Sequence, residues 1–192
     1  KDFQWSAKAS YTTLQKNVHT IGIHASFALE YFNVDKNNYN LATLSGWGMD
    51  TEYELGMLPS QQALLGTLEK GNSYSYREHL NRYTLGINYA LEFHGHTFEV
   101  SVPLSLQRRN LDFYQSDNEQ VVTRRMFSPD ITIKLRKWMS GNTGSSYSLN
   151  FSTKKSMPAL FNLVNQRSDI YEVAVTQGNE NLKNATSYTL NG

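Results

Sequence analysis

The chain has 192 residues, 18 basic and 17 acidic side chains for a formal net charge of +1, and no cysteine. A length of this order suits one domain, and near-neutrality argues against a nucleic-acid partner, which would call for a clustered basic face. The lack of thiols removes disulfides, thiolate metal sites and a cysteine nucleophile.

From Phe3 to Tyr11 the odd positions are Phe, Trp, Ala, Ala and Tyr and the even ones Gln, Ser, Lys and Ser, the period of two of a half-buried strand. A short return at Leu14–Asn17 leads to a second strand, with Ile21, Ile23, Ala25, Phe27, Leu29 and Tyr31 on one face. Residues 33–40 read as a polar loop. Leu41–Met49 reads as another strand, weakened by Gly46 and Gly48. Residues 50–75 give a poor signal and their role stays open, although Ser60–Leu68 after Pro59 suits a short helix capped by Ser60.

The strongest hairpin pairs Tyr83–Phe93 with Phe98–Leu106 across a tight His94-Gly95-His96 return. Pro103 has no ladder donor, which assigns it to a bulge or an edge. Arg108–Gln120 reads as a polar return, Phe127–Arg136 as a strand, and Ser140–Gly144 as a turn. Tyr147, Leu149 and Phe151 continue the alternation, residues 154–182 form a long loop, and Thr186, Tyr188 and Leu190 begin a last strand.

Alternation alone fits a membrane barrel and a soluble sandwich equally. No run of about 18 apolar residues makes a transmembrane helix, but barrel strands keep average hydropathy low, so a mean of -0.54 does not decide the matter. The alternating runs at 20–31, 83–93 and 97–107 have the length of about 9–11 residues that a tilted crossing needs. Returns are short near 15, 95 and 142 and long at 108–120 and 154–182, the asymmetry of periplasmic turns and extracellular loops. Aromatics gather toward strand ends, and the face opposite the apolar one is mostly Ser, Thr, Gly and Asn. The start at Lys1-Asp2-Phe3 lacks the apolar core of a signal peptide. With the close on Tyr188-Thr189-Leu190, it suggests an excerpt of a longer chain. The expectation is an all-β fold, an antiparallel up-and-down meander forming part of a transmembrane β-barrel, with residues 1–192 as a single barrel segment. The alternative is a soluble antiparallel β-sandwich acting as a ligand-binding or adhesion module.

Gly178-Asn179-Glu180-Asn181-Leu182-Lys183-Asn184 resembles the Gly-Asn-Pro-x-Leu-Lys-Pro element of TonB-dependent receptor-like outer-membrane proteins of the Bacteroidetes type. Glu180 and Asn184 stand where prolines are usual. Phe151–Leu160 (FSTKKSMPAL) resembles the strand end and loop start of that family, and Tyr76-Arg77-Glu78-His79-Leu80 its Tyr-x-Glu-Pro-Leu motif without the proline. Arg124–Ile133 fits the segment leading into the intervening strand, so the resemblance covers residues 74–192. It implies a Gram-negative outer-membrane location, contact with outer-membrane lipid and uptake of a nutrient ligand. It also implies a plug and an energy-coupling complex, both engaged through regions absent from these residues. Such a segment would supply about seven or eight wall strands, and its open edges would favour self-association.

Chemistry-bearing clusters are sparse. His94 and His96 lack a third metal ligand, Asp112, Asp117 and Glu119 lack EF-hand spacing, and no nucleophile elbow occurs. No enzyme activity, metal or cofactor is expected. The pairs Arg108-Arg109 and Arg124-Arg125 mark strand ends at a charged lipid surface or lumen. Binding residues concentrate on loops held by rigid strands, which nominates Tyr114, Phe161, Tyr171 and Asn179 for the ligand, with loop packing as their structural role.

Overall fold

The computed structural model describes residues 2–15, 18–44, 59–138, 146–166 and 177–192. They form eight strands: β1 Phe3–Gln15, β2 His19–Lys36, β3 Tyr74–Phe93, β4 His96–Gln115, β5 Asn118–Pro129, β6 Thr132–Trp138, β7 Ser146–Ser156 and β8 Ala185–Asn191. All belong to one antiparallel sheet ordered β1-β2-β3-β4-β6-β7-β8, with β5 also pairing β4. The all-β meander expected from the alternation is present. Among the described residues it is an open sheet, with β1 and β8 at its ends and β5 paired on one side only.

The β3–β4 hairpin turns on His94 (φ 46) and Gly95 (φ 76), between the paired Phe93 and His96. Positive φ at both central residues is the type I′ signature, whose twist matches that of the flanking strands. Helix α1, Gln61–Gly66, starts at Ser60, whose Oγ accepts a hydrogen bond from the Ala63 N–H at 3.3 Å. This is the helix and cap expected after Pro59.

Several expectations need correction, the first being the polar loop at 33–40, since β2 runs on to Lys36. Strands β3 and β4 are each 20 residues long, twice the run that alternation marks, because the apolar residues change face part-way along. The return expected at 108–120 is therefore strand on both sides of a two-residue turn at Ser116–Asp117, and the pairs Arg108-Arg109 and Arg124-Arg125 lie within β4 and β5 rather than at strand ends. Leu41–Thr43 is a 3-10 turn rather than a strand, since Asn40 Oδ1 accepts from the Ala42 N–H at 3.2 Å and closes the backbone locally; residues 45–49 lie outside the described residues, as does the turn at 140–144.

The last correction concerns Pro103, which lies neither at an edge nor at a bulge. It sits inside β4, opposite Gly86 of β3 on one side. On the other side Leu104 pairs Pro129 and Ser101 pairs Thr132, an unbroken register that brings Pro103 opposite Asp130. The Asp130 N–H donates to the Pro103 carbonyl at 3.0 Å, but proline returns no N–H. The expected strand at 127–136 is thereby divided into β5 and β6. Asp130 Oδ1 accepts instead from the Lys155 N–H at 3.0 Å and from Ser128 Oγ at 2.5 Å.

Candidate functional site

Side chains alternate across a strand, so each register row assigns its residues to one face. One row runs Phe27, Tyr83, Leu106, Phe127; below it come Ala25, Leu85, Leu104 and then Ile23, Ile87, Val102. The same face continues through Ile133, Phe151 and Leu190 on β6 to β8. Most of these residues lie open to the surroundings: Tyr83, Leu85 and Ile87 are 52–54 % exposed and Leu190 68 %, while Phe27, Val102, Ile133 and Phe151 are partly buried. A soluble monomer seldom exposes a contiguous apolar patch larger than about 300–600 Å². Here the band crosses the whole sheet.

The band has two aromatic margins. At one, Phe27 and Tyr83 have ring centroids 4.8 Å apart and Trp5 meets Phe27 edge-on at 5.8 Å. At the other, Phe93 stacks on His96 at 5.2 Å, and His96 meets Tyr147 at 6.4 Å. From Tyr83 to Phe93 the strand rises about 33 Å, and at a tilt of about 45° this projects to roughly 24 Å, close to the apolar height of an outer-membrane barrel.

The opposite face of the same stretch is small and polar. Gly22, Asn88, Ser101 and Thr132 follow one another across four strands, lining a groove of about 460 Å³ with Thr12, Glu99 and Lys134. Ser101 Oγ donates to Asn88 Oδ1 at 2.6 Å, Asn88 Nδ2 lies 3.2 Å from His24 Nδ1, and Lys134 stands 4.0 Å from Glu99. The His24 ring lies over Gly86, where an added Cβ would come within 2.0 Å of it.

Beyond the Tyr83 margin the faces exchange character. On the band side Asn81, His79, Arg77 and Arg108, Asn110, Asp112 replace the apolar rows. On the groove side Leu111 and Phe113 are fully buried beneath Leu160, Leu163 and Val164 of the β7–β8 connection. Tyr74, Tyr76 and Phe161 extend this cluster, with Phe161 5.3 Å from Tyr74, 5.0 Å from Tyr76 and 6.0 Å from Phe113 between centroids. Burial, then the charge of Glu78, then Tyr74 and Asp2, push the Tyr76 phenol above its ordinary pKa. Arg109 Nε approaches Glu78 Oε1 at 2.8 Å below the cluster, a charge contact whose N–H is not aligned on the oxygen.

Backbone contacts clip the connection onto β5. The Asn165 N–H donates to Gln120 Oε1 at 3.0 Å and Gln120 Nε2 donates to the Asn165 carbonyl at 2.8 Å. Gly178 donates to Asn165 Oδ1 at 3.1 Å, and any Cβ there would lie 2.3 Å from the Val164 carbonyl oxygen. Arg124 donates to the Glu180 carbonyl. No protein-family model, curated protein or solved structure matches the chain.

The residues nominated for a ligand do not form one site. Phe161 belongs to the aromatic cluster. Asn179 is exposed; its N–H donates to the Asn162 carbonyl at 3.0 Å and its Oδ1 accepts from Asn181 at 3.0 Å, so it shapes the loop. Tyr114 is on the other face, between Ser75 and Glu119, beside an opening shared with Asp35 and Lys70. Tyr171 lies outside the described residues. Sequence reasoning missed Tyr74, Tyr76, Leu111 and Phe113; the signal was their spacing of two within strands that had been ended too early.

Proposed function

We propose that this chain is a stretch of wall from an outer-membrane receptor barrel, which in the intact receptor takes up a nutrient across the Gram-negative outer membrane. The observation that carries this reading is the one-sided apolar band: bounded by aromatic rows, of bilayer height, and backed by a polar groove. A sandwich would need a second layer over the band, and among the described residues every strand is in the same sheet.

In this reading the groove faces the lumen, and the cluster around Phe161 closes the outer mouth, where the ligand is met. The open edges of β1 and β8 continue the wall. In isolation they pair with other chains, because unpaired strand edges are templates for strand addition. Energy coupling acts through parts of the receptor outside residues 1–192.

Arginine placed in the band tests the reading. Ile87→Arg and Val102→Arg, midway between the aromatic rows, should each destabilise the lipid-reconstituted chain by about 2–4 kcal/mol, while Thr123→Arg on β5 beyond the band should cost about 0–1 kcal/mol. Urea unfolding in vesicles measures both. A chain that is monomeric and cooperatively folded without detergent, and equally tolerant at all three positions, would sink the membrane assignment.

A further inference from the structure

On the band side, one step beyond the row Tyr83, Leu106, Phe127, the next row reads Asn81, Arg108, Arg125. Arg108 and Arg125 are directly opposite on neighbouring strands, and both are exposed. Like charges facing each other across a ladder are unfavourable unless an anion lies between them. Among the described residues the ion pairs join Arg109 to Glu78 and Lys134 to Glu99, and neither arginine of this row has a carboxylate within pairing distance. The pair borders a depression of about 300 Å³, lined also by Asn81, Tyr83, Leu106 and Gln107. A third cation stands close by, since Lys155 Nζ donates to the Phe127 carbonyl at 3.3 Å.

From these positions we infer that Arg108 and Arg125 bind the phosphate of a lipid headgroup, whose acyl chains lie down the band against Leu106 and Phe127. The inference rests on the membrane reading. One side-chain step along a strand is about 6.6 Å, which puts the guanidinium groups just above the hydrocarbon margin, at headgroup depth. A phosphate fits them because guanidinium offers paired N–H donors that match two oxygens of one phosphate. The tyrosine at the margin suits the same depth, with its ring toward the chains and its hydroxyl toward the headgroups. The side of the sheet follows from the connections: the two-residue turn at His94–Gly95 is at the opposite margin, while the long β7–β8 connection is on this one, the extracellular side of such a barrel. The occupant is a phosphorylated lipid of the outer leaflet.

The test reconstitutes the whole chain in phosphatidylcholine vesicles and measures, by electron spin resonance, the motionally restricted fraction of spin-labelled phosphatidic acid against spin-labelled phosphatidylcholine. Wild type should prefer phosphatidic acid about thirtyfold, the scale that two surface arginines supply at about 1 kcal/mol each. Arg108→Gln with Arg125→Gln should abolish the preference while leaving the phosphatidylcholine fraction unchanged, and Arg125→Gln alone should remove about half of it on a logarithmic scale. A preference that survives the double substitution, or is absent from wild type, overturns the proposal and leaves the membrane reading standing. Loss of the preference on adding millimolar inorganic phosphate means that the pair takes free phosphate, which also overturns it. If neither lipid is restricted, the membrane reading itself has failed and the lipid site falls with it.

Discussion

Strands β3 and β4 hold two regions with opposite logic. Between Tyr83 and Phe93, and between Phe98 and Leu106, the apolar residues point to the open face and the small polar ones to the groove. Between Tyr74 and Leu80, and between Arg108 and Gln115, charged and polar residues take the open face while Leu80, Leu111 and Phe113 are buried on the other. The pairing runs from Ser75–Tyr114 to Phe93–His96 without a slip. No bulge rotates the side chains. The surroundings of each face change instead, as they would for a strand that leaves hydrocarbon and enters water while its inner side passes under a packed loop.

The sharpest way to break this comparison is to truncate one residue from each region. Phe113→Ala removes a side chain with no exposure from the cluster and should cost about 3–5 kcal/mol. Leu85→Ala, in the band and 52 % exposed, should cost about 0.5 kcal/mol or less in detergent, as at a site without protein packing. Denaturant midpoints in one detergent measure both. Equal losses would mean that the band has a protein partner and that the two regions are alike.

Legibility in the sequence followed the same division. Where the apolar parity was constant, as in Ile21–Tyr31 and Tyr83–Phe93, the strands and their faces could be read, and His94-Gly95 announced its turn through a residue that tolerates positive φ. Where parity changed sides, reading stopped. Leu111 and Phe113 among Arg108, Asp112 and Tyr114 looked like a polar return because hydrophobic residues were sought on the even positions. Pro103 was legible as a missing donor but not as a ladder interruption, since that depends on which neighbour its vacant N–H would have faced. The cluster at Phe161 needed two segments far apart in sequence, and no local pattern joins Tyr74 to Leu163. Gly178 was noticed as part of a motif, while its reason, the Val164 carbonyl, is a matter of tertiary contact.

A smaller effect probes the floor of the groove. Gly86→Ala should displace the His24 ring and break its 3.2 Å contact with Asn88, costing about 1–3 kcal/mol as overpacking does. Gly22→Ala, on the same face with its nearest side-chain neighbour at 3.5 Å, should be close to neutral. A His24→Ser background relieves the first cost if the ring is its cause, and the double-mutant cycle isolates that coupling. An undiminished cost in that background would point to the backbone at Gly86 and would remove the ring from the groove's design.

The smallest expected effect is a pH dependence confined to the cluster around Phe161. The Tyr76 phenol is half-buried and its pKa is raised, first by burial and then by the charge of Glu78. The unfolded chain releases this proton near pH 10, whereas the folded chain holds it to higher pH. The folded state therefore binds more protons in that window, and stability falls as pH rises through it. The contribution is fully present below pH 10 and lost above. Unfolding midpoints measured across the alkaline range should decline less steeply in Tyr76→Phe than in wild type, and one late-appearing phenolate in the ultraviolet titration should be missing from that variant. An identical decline in both would mean that water reaches Tyr76, so that the connection carrying Phe161 does not cover the cluster and this region is as open as the band.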